Sequence, residues 1–133
     1  MAAPDPQALA TAMPFAVAVG AEVTAASAEE VRGRLAWAPE RCTSGGTLHG
    51  GAIMALADTL GAICAFLNLP PGAGTSTIES KTNFFAPVRS GHIEAVTHAR
   101  HVGRRTIVLQ TDGRDATGRR VALVVQTQAV LAD

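Results

Sequence analysis

Between Gly50 and Ile78, a span of 29 residues, Asp58 is the only charged side chain. An ionised carboxylate left buried and unpaired in such apolar company is very costly, so Asp58 must pair, take up a proton or face solvent in a cleft. Nine positions earlier, where the apolar run begins, stand His49, Gly50 and Gly51. A helix starting there presents unpaired backbone N–H groups and the positive end of its dipole, both suited to a developing oxyanion. Two glycines would let a substrate carbonyl approach that backbone closely. A carboxylate, oxyanion donors and a water together suffice for transferring an acyl group to water. Each feature also has a plain structural reading. Asp58 can bond a backbone group or an arginine of another strand, and the glycines can serve the turn.

Spacing constrains the chemistry. Nine residues of helix place His49 and Asp58 about 13.5 Å apart along the axis, too far for one reacting carbonyl. A symmetric dimer solves this if the helix start of one subunit faces Asp58 of the other.

The helix that must carry these groups runs from Gly50 to Leu67, and Pro70-Pro71-Gly72 stops it. Ile53, Leu56, Leu60, Ile63 and Leu67 form a bulky stripe fit for packing on a sheet. Asp58 falls instead with Gly51, Ala55, Gly61, Ala62 and Ala65, all small, which leaves room beside the carboxylate for a ligand or another backbone.

Before the helix, two strands are expected between Phe15 and Ala38. Val17, Val19, Ala21 and Val23 alternate, as do Val31, Gly33, Leu35 and Trp37. Residues 1–14 read as an extension, with a short helix after Pro6 as one option. Four further strands are expected at Ser76–Phe84, His92–Val102, Thr106–Asp115 and Arg120–Leu131, separated by glycine-containing turns. One helix with an antiparallel sheet makes an α+β domain over residues 1–133, the sheet's other face being solvated or meeting a second subunit.

Eleven basic residues balance eleven acidic ones, so no general basic field favours nucleic acid or a membrane surface. The N-terminus lacks a basic segment followed by an apolar core, so we expect no signal peptide, a cytoplasmic location and reduced thiols at Cys42 and Cys64. Their spacing matches no metal motif.

The segment from His49 to Gly61, HGGAIMALADTLG, resembles the H-G-G-x(6)-[D/E] signature of hotdog thioesterases of the phenylacetate-pathway (PaaI) and Arthrobacter-type 4-hydroxybenzoyl-CoA group. Lys81 to Gly91, KTNFFAPVRSG, resembles the group's N/T-F-x-x-P-V-x-x-G segment, and Asp115 to Ala122, DATGRRVA, its D-x-x-G-R-x-V-A hairpin. The likeness covers roughly residues 15 to 131. It implies a hotdog fold, a long central helix wrapped by a curved antiparallel sheet of five to six strands. Homodimers with active sites at the interface, often paired into tetramers, are implied as well. By position, Asp58 would attack the thioester carbonyl or activate water against it. The N–H of Gly50 or Gly51 would polarise that carbonyl, and His49 would orient the substrate or leaving thiolate. No metal or redox cofactor is called for; coenzyme A enters as part of the substrate.

Relatives often carry Gln or Asn about six residues before the histidine, where this chain has Thr43 and Ser44. Some carry Ser or Thr one turn after the carboxylate, where it has Ala62, although Thr59 is adjacent. Coenzyme A requires a basic surface for its phosphates. Arg104, Arg105 and Thr106 lie at a turn near the family's nucleotide contacts, with Arg89, Arg119 and Arg120 as further candidates. Solvated turn arginines are the alternative. Met54, Phe84 and Phe85 either line the acyl pocket or pack in the core. Aryl and medium-chain acyl groups both remain open. Two rival functions stand beside hydrolysis. A hotdog hydratase or dehydratase would need an acid/histidine pair in a different motif. A non-catalytic acyl-CoA-binding domain would have no need of Asp58.

Overall fold

Prolines start the first two helices in a computed structural model that describes residues 4–132. Pro6 starts α1 (Pro6–Thr11) behind an Asp5 cap, and Pro14 starts α2 (Pro14–Val19). Proline suits this first helical position because its φ is preset and its missing N–H would have no partner there. Gly20 ends α2 at φ 85°, a left-handed value that glycine reaches without strain, and its N–H bonds the Ala16 and Val17 carbonyls. The strand expected around Val17 and Val19 is therefore helix, and Val17 is 54% exposed while Ala16 is buried. The cause is local: proline and glycine set a one-and-a-half-turn helix whose apolar spacing mimics alternation.

After α2 the chain forms β1 (Glu22–Ala26), β2 (Glu30–Ala36), a single 3₁₀ turn (Pro39–Arg41), α3 (Gly50–Leu67), β3 (Gly74–Phe84), β4 (His92–Val102), β5 (Thr106–Asp115) and β6 (Arg120–Leu131). The last four strands and α3 lie where the sequence patterns place them. The six strands form one antiparallel sheet in the order β1-β2-β4-β5-β6-β3. This is the hotdog arrangement, with α3 as the filling.

Strand alternation points Val31 and Leu35 of β2, Ile93 and Ala95 of β4, and Ile107 and Leu109 of β5 into the core. They meet the stripe Ile53, Leu56, Leu60 and Ile63 of α3, all buried. Leu56 and Leu60 are fully buried, each worth roughly 1.5–3 kcal/mol in apolar area removed from water. Gly33 allows a close approach, since a Cβ there would lie 2.7 Å from a Leu60 methyl. Truncating Leu60 to Ala would cost about 2–5 kcal/mol.

Asn68 closes α3, donating its amide to the carbonyls of Cys64 and Ala28, both at 2.8 Å. By length and hydropathy α3 could cross a membrane, but in this fold the sheet wraps it and 56% of that window is buried. Both cysteines are free, and burial pushes the Cys64 thiol up to about 11.

At the two rims the sheet differs. Helix α1 lies along β1, and its Gln7 Oε1 accepts the outward N–H of Val23 at 3.1 Å. Along β3, by contrast, Thr77, Ile78, Glu79, Lys81, Asn83 and Phe84 are exposed.

Candidate active site

His49 is held in place by the chain on both sides of it. Leu48 is buried and donates its N–H to the Val88 carbonyl, and the His49 N–H goes to the Arg41 carbonyl at 2.8 Å. Arg41 is itself fixed, its guanidinium reaching the carbonyls of Val19 and Ala36. His49 thus enters α3 in an extended conformation as its N-cap, and Nδ1 accepts the Gly51 N–H at 2.8 Å. Histidine here does what Ser or Asp usually does at a helix start.

That contact revises the expected role of the two glycines. The Gly51 N–H is engaged by His49, whereas among the described residues the Gly50 N–H has no partner. A Cβ at Gly51 would lie 2.9 Å from His49 Nδ1, so this glycine makes room for the cap. A Cβ at Gly50 would lie 3.0 Å from the Phe84 ring. Both glycines first serve close packing within the chain, and Gly50 alone keeps a donor free.

Asp58 sits two turns further along, half-buried, in a groove of about 300 Å³ lined by Gly51, Met54, Ala55, Thr77 and Ser80. Its Oδ1 accepts the Thr77 hydroxyl at 2.7 Å. No described residue hydrogen-bonds Oδ2, which leaves that oxygen available to the groove. Ser80 Oγ and Thr82 Oγ1, on the same inward face of β3, are buried without partners among the described residues. The small face splits along its length. Gly51, Ala55 and Asp58 line the groove, while Gly61 and Ala65 are buried.

The other expected residues divide as clearly. Met54 lines the Asp58 groove. Thr59 is buried, and its hydroxyl hydrogen goes to the Ala55 carbonyl of its own helix at 2.7 Å. Ala62 opens onto a separate apolar hollow with Leu9, Met13, Ile63 and Phe66. Thr43 and Phe84 share a third hollow beside Gly50, while Ser44 is exposed on the preceding loop.

Arg104 and Arg105 are exposed in the β4–β5 turn, closed by the Gly103 N–H on the Thr106 carbonyl. Neither pairs with a carboxylate among the described residues. Ile107, Gln128 and Thr77 occupy one row across β5, β6 and β3, which puts the Arg105 backbone about 12 Å from Thr77 by strand spacing and rise. Arg89 lies at the opposite end of the sheet, next to Val88, whose carbonyl anchors Leu48. One chain does not gather these arginines together. Arg119 and Arg120 are occupied by Asp115 and Asp112.

Sequence reasoning missed three parts of this region. Thr77 and the glutamines behind it, Gln126 and Gln128, resemble ordinary strand residues. Helix α2, read as strand, brings Phe15, Ala18 and Val19 to a cleft of about 610 Å³ whose other wall includes Cys42, His49 and Gly51.

A model of the thioesterase superfamily matches residues 45–122, from the loop before His49 to the end of the Asp115 hairpin. The chain belongs to the thioesterase superfamily. The proofreading thioesterase EntH of Klebsiella pneumoniae is 34% identical over 86 residues, covering 65% of this chain and 63% of that protein. The curated relatives that this superfamily member matches are longer than the matched part, which spans from 50% to 63% of two of them. Among solved structures, a mutant thioesterase of Pseudomonas aeruginosa superposes with a TM-score of 0.91 at 26% identity, over 98% of this chain and 96% of its own. A thioesterase of Haemophilus influenzae gives 0.91 at 24% identity over 98% and 92%, a likeness of fold.

Proposed function

We propose that this superfamily member hydrolyses an acyl-coenzyme A thioester to the free acid and coenzyme A, within the PaaI-like group its motifs resemble. The observation that carries this reading is the free oxygen of Asp58, which faces a groove on a helix whose first N–H, at Gly50, is also free. Asp58 acts as general base or nucleophile. In the first case it takes a proton from water while the water oxygen adds to the carbonyl carbon. The Gly50 N–H stabilises the oxyanion, and collapse breaks the C–S bond to release the thiolate. His49 holds the helix start and orients the substrate.

The site is completed by two subunits. Asp58 and the Gly50 N–H are about 12 Å apart on one helix, and the exposed β3 rim offers unpaired strand backbone to a second copy. A homodimer, itself paired into a tetramer, fits this surface. The unpaired Arg104 and Arg105, with Thr106, lie near enough to Thr77 to hold the phosphates of coenzyme A; Arg89 does so only if another subunit brings it close. No metal or redox cofactor is required.

The test is thiol release from a panel of aryl- and aliphatic acyl-CoAs by the wild type and by Asp58→Asn. Turnover of at least one ester by the wild type, lost in the variant, is the expected result. A wild type inactive on the whole panel ends the thioesterase reading, and a fully active Asp58→Asn ends the role given to Asp58.

A further inference from the structure

We propose that Thr77 is a positioning residue for Asp58, the last member of a donor chain that starts in the core and fixes which carboxylate oxygen reacts; this rests on Asp58 being the reacting carboxylate. The chain begins at the backbone of α3 itself. The Ala57 carbonyl can only accept, so the Gln126 group facing it at 3.0 Å is the amide nitrogen. Gln126 Oε1 must then meet a donor, and Gln128 Nε2 lies 2.8 Å away. The second N–H of that nitrogen reaches Thr77 Oγ1 at 2.7 Å. Since Thr77 Oγ1 accepts there, its own hydrogen is directed to Asp58 Oδ1 at 2.7 Å.

Every donor in the series is therefore determined by the one before it. Gln126 and Gln128 are both fully buried, where reversing an amide would leave polar atoms unpaired at substantial cost. The series starts at Ala57 and ends at the neighbouring Asp58, so it ties the carboxylate to its own helix through two strands. Gly61 makes it possible: a Cβ there would lie 2.0 Å from Gln126 Nε2. With Oδ1 held as an acceptor, Oδ2 is the oxygen turned to the groove.

Thr77 is exposed at the sheet edge, so replacing its hydroxyl should cost stability only through the Gln128 N–H that loses its acceptor. Thr77→Val keeps the shape and removes the donor, while Thr77→Ser restores it. We expect Thr77→Val to lower kcat about 10- to 100-fold with KM within about 2-fold, as for loss of a hydrogen bond to a charged group. Thr77→Ser should stay within about 3-fold of the wild type. Full kcat in Thr77→Val, or a Thr77→Ser as slow as Thr77→Val, overturns the proposal. If Asp58→Asn is inactive while Thr77→Val is fully active, only this positioning role falls; if Asp58→Asn is fully active, the underlying reading of Asp58 falls with it. Crystal structures of the variants test the same point without turnover. The Asp58 carboxylate should keep its rotamer in Thr77→Ser and lose it in Thr77→Val, and an unchanged rotamer in Thr77→Val overturns the proposal.

Discussion

His49 Nδ1 accepts the Gly51 N–H at 2.8 Å, which makes the histidine of the H-G-G segment the cap of the helix that carries Asp58. The ring that has this structural duty is also the one to which we assign a substrate-orienting role. Replacing His49 by Ala should cost about 0.5–2 kcal/mol through loss of the cap. His49→Ser restores a capping oxygen, so urea unfolding should show its stability recovered. Thiol release measured on the same two variants separates the duties. If His49 orients substrate, His49→Ser regains stability and not rate; if it only caps, both return.

Gly61 lies against Gln126, and Gly61→Ala should displace that side chain from its buried hydrogen bonds. Overpacking of this kind costs about 1–3 kcal/mol. Chemical denaturation should show the loss, and pairing the change with Gln126→Ala should cost less than the sum of the two. Strict additivity would mean that the two positions do not meet.

The Asp115 hairpin should show acid sensitivity. Its carboxylate accepts the Thr117 hydroxyl and N–H and the Arg119 N–H and guanidinium, with the Thr117 hydroxyl foremost, and these hold it below its ordinary value of 3.8. A depressed carboxyl adds stability that is present above the ordinary value and is lost as pH falls through the folded value. Asp115→Asn should therefore be less stable than the wild type at neutral pH, and the gap should narrow below about pH 4. Urea midpoints at pH 7 and pH 3 check this; a constant gap would refute it.

Cys64 should have the opposite signature. Burial raises its thiol from 9.0 to about 11, so the unfolded chain ionises first and the associated stability is lost as pH rises through that interval. Cys64→Ala should flatten the fall in stability between pH 9 and pH 11 relative to the wild type. Alkylation of native protein should also reach half-buried Cys42 well before Cys64. Equal labelling rates would contradict the burial.

Much of the fold was legible because its periods are strong. The α3 stripe repeats at helical spacing, and β3 to β6 alternate between turns that contain glycine. Helix α2 was not, because six residues are too few to distinguish helical from strand spacing, and Pro14 and Gly20 decided the matter. Asp58 stood out as the lone charge in its run, yet its partner did not. Thr77 lies 19 positions away and meets it only once β3 lines up beside β6. A signal was present in β6 itself. Ala122, Val124, Gln126 and Gln128 share one inward register, and two glutamines following core residues in step require buried partners. The hairpin motif is likewise explained by geometry: Arg119 joins Asp115 to the Pro87 carbonyl, linking two of the family-like segments.

The unlike rims of the sheet limit how copies of this chain can accumulate. With α1 lying along β1 and Gln7 taking the Val23 N–H, the β1 rim is partly covered, and β3 is the more open rim among the described residues. A sheet open at both sides could recruit neighbours without end, as fibres do. In the proposed dimer, edge pairing along β3 would terminate after one step, so the first turns of the fold would act as a stopper that keeps self-association finite.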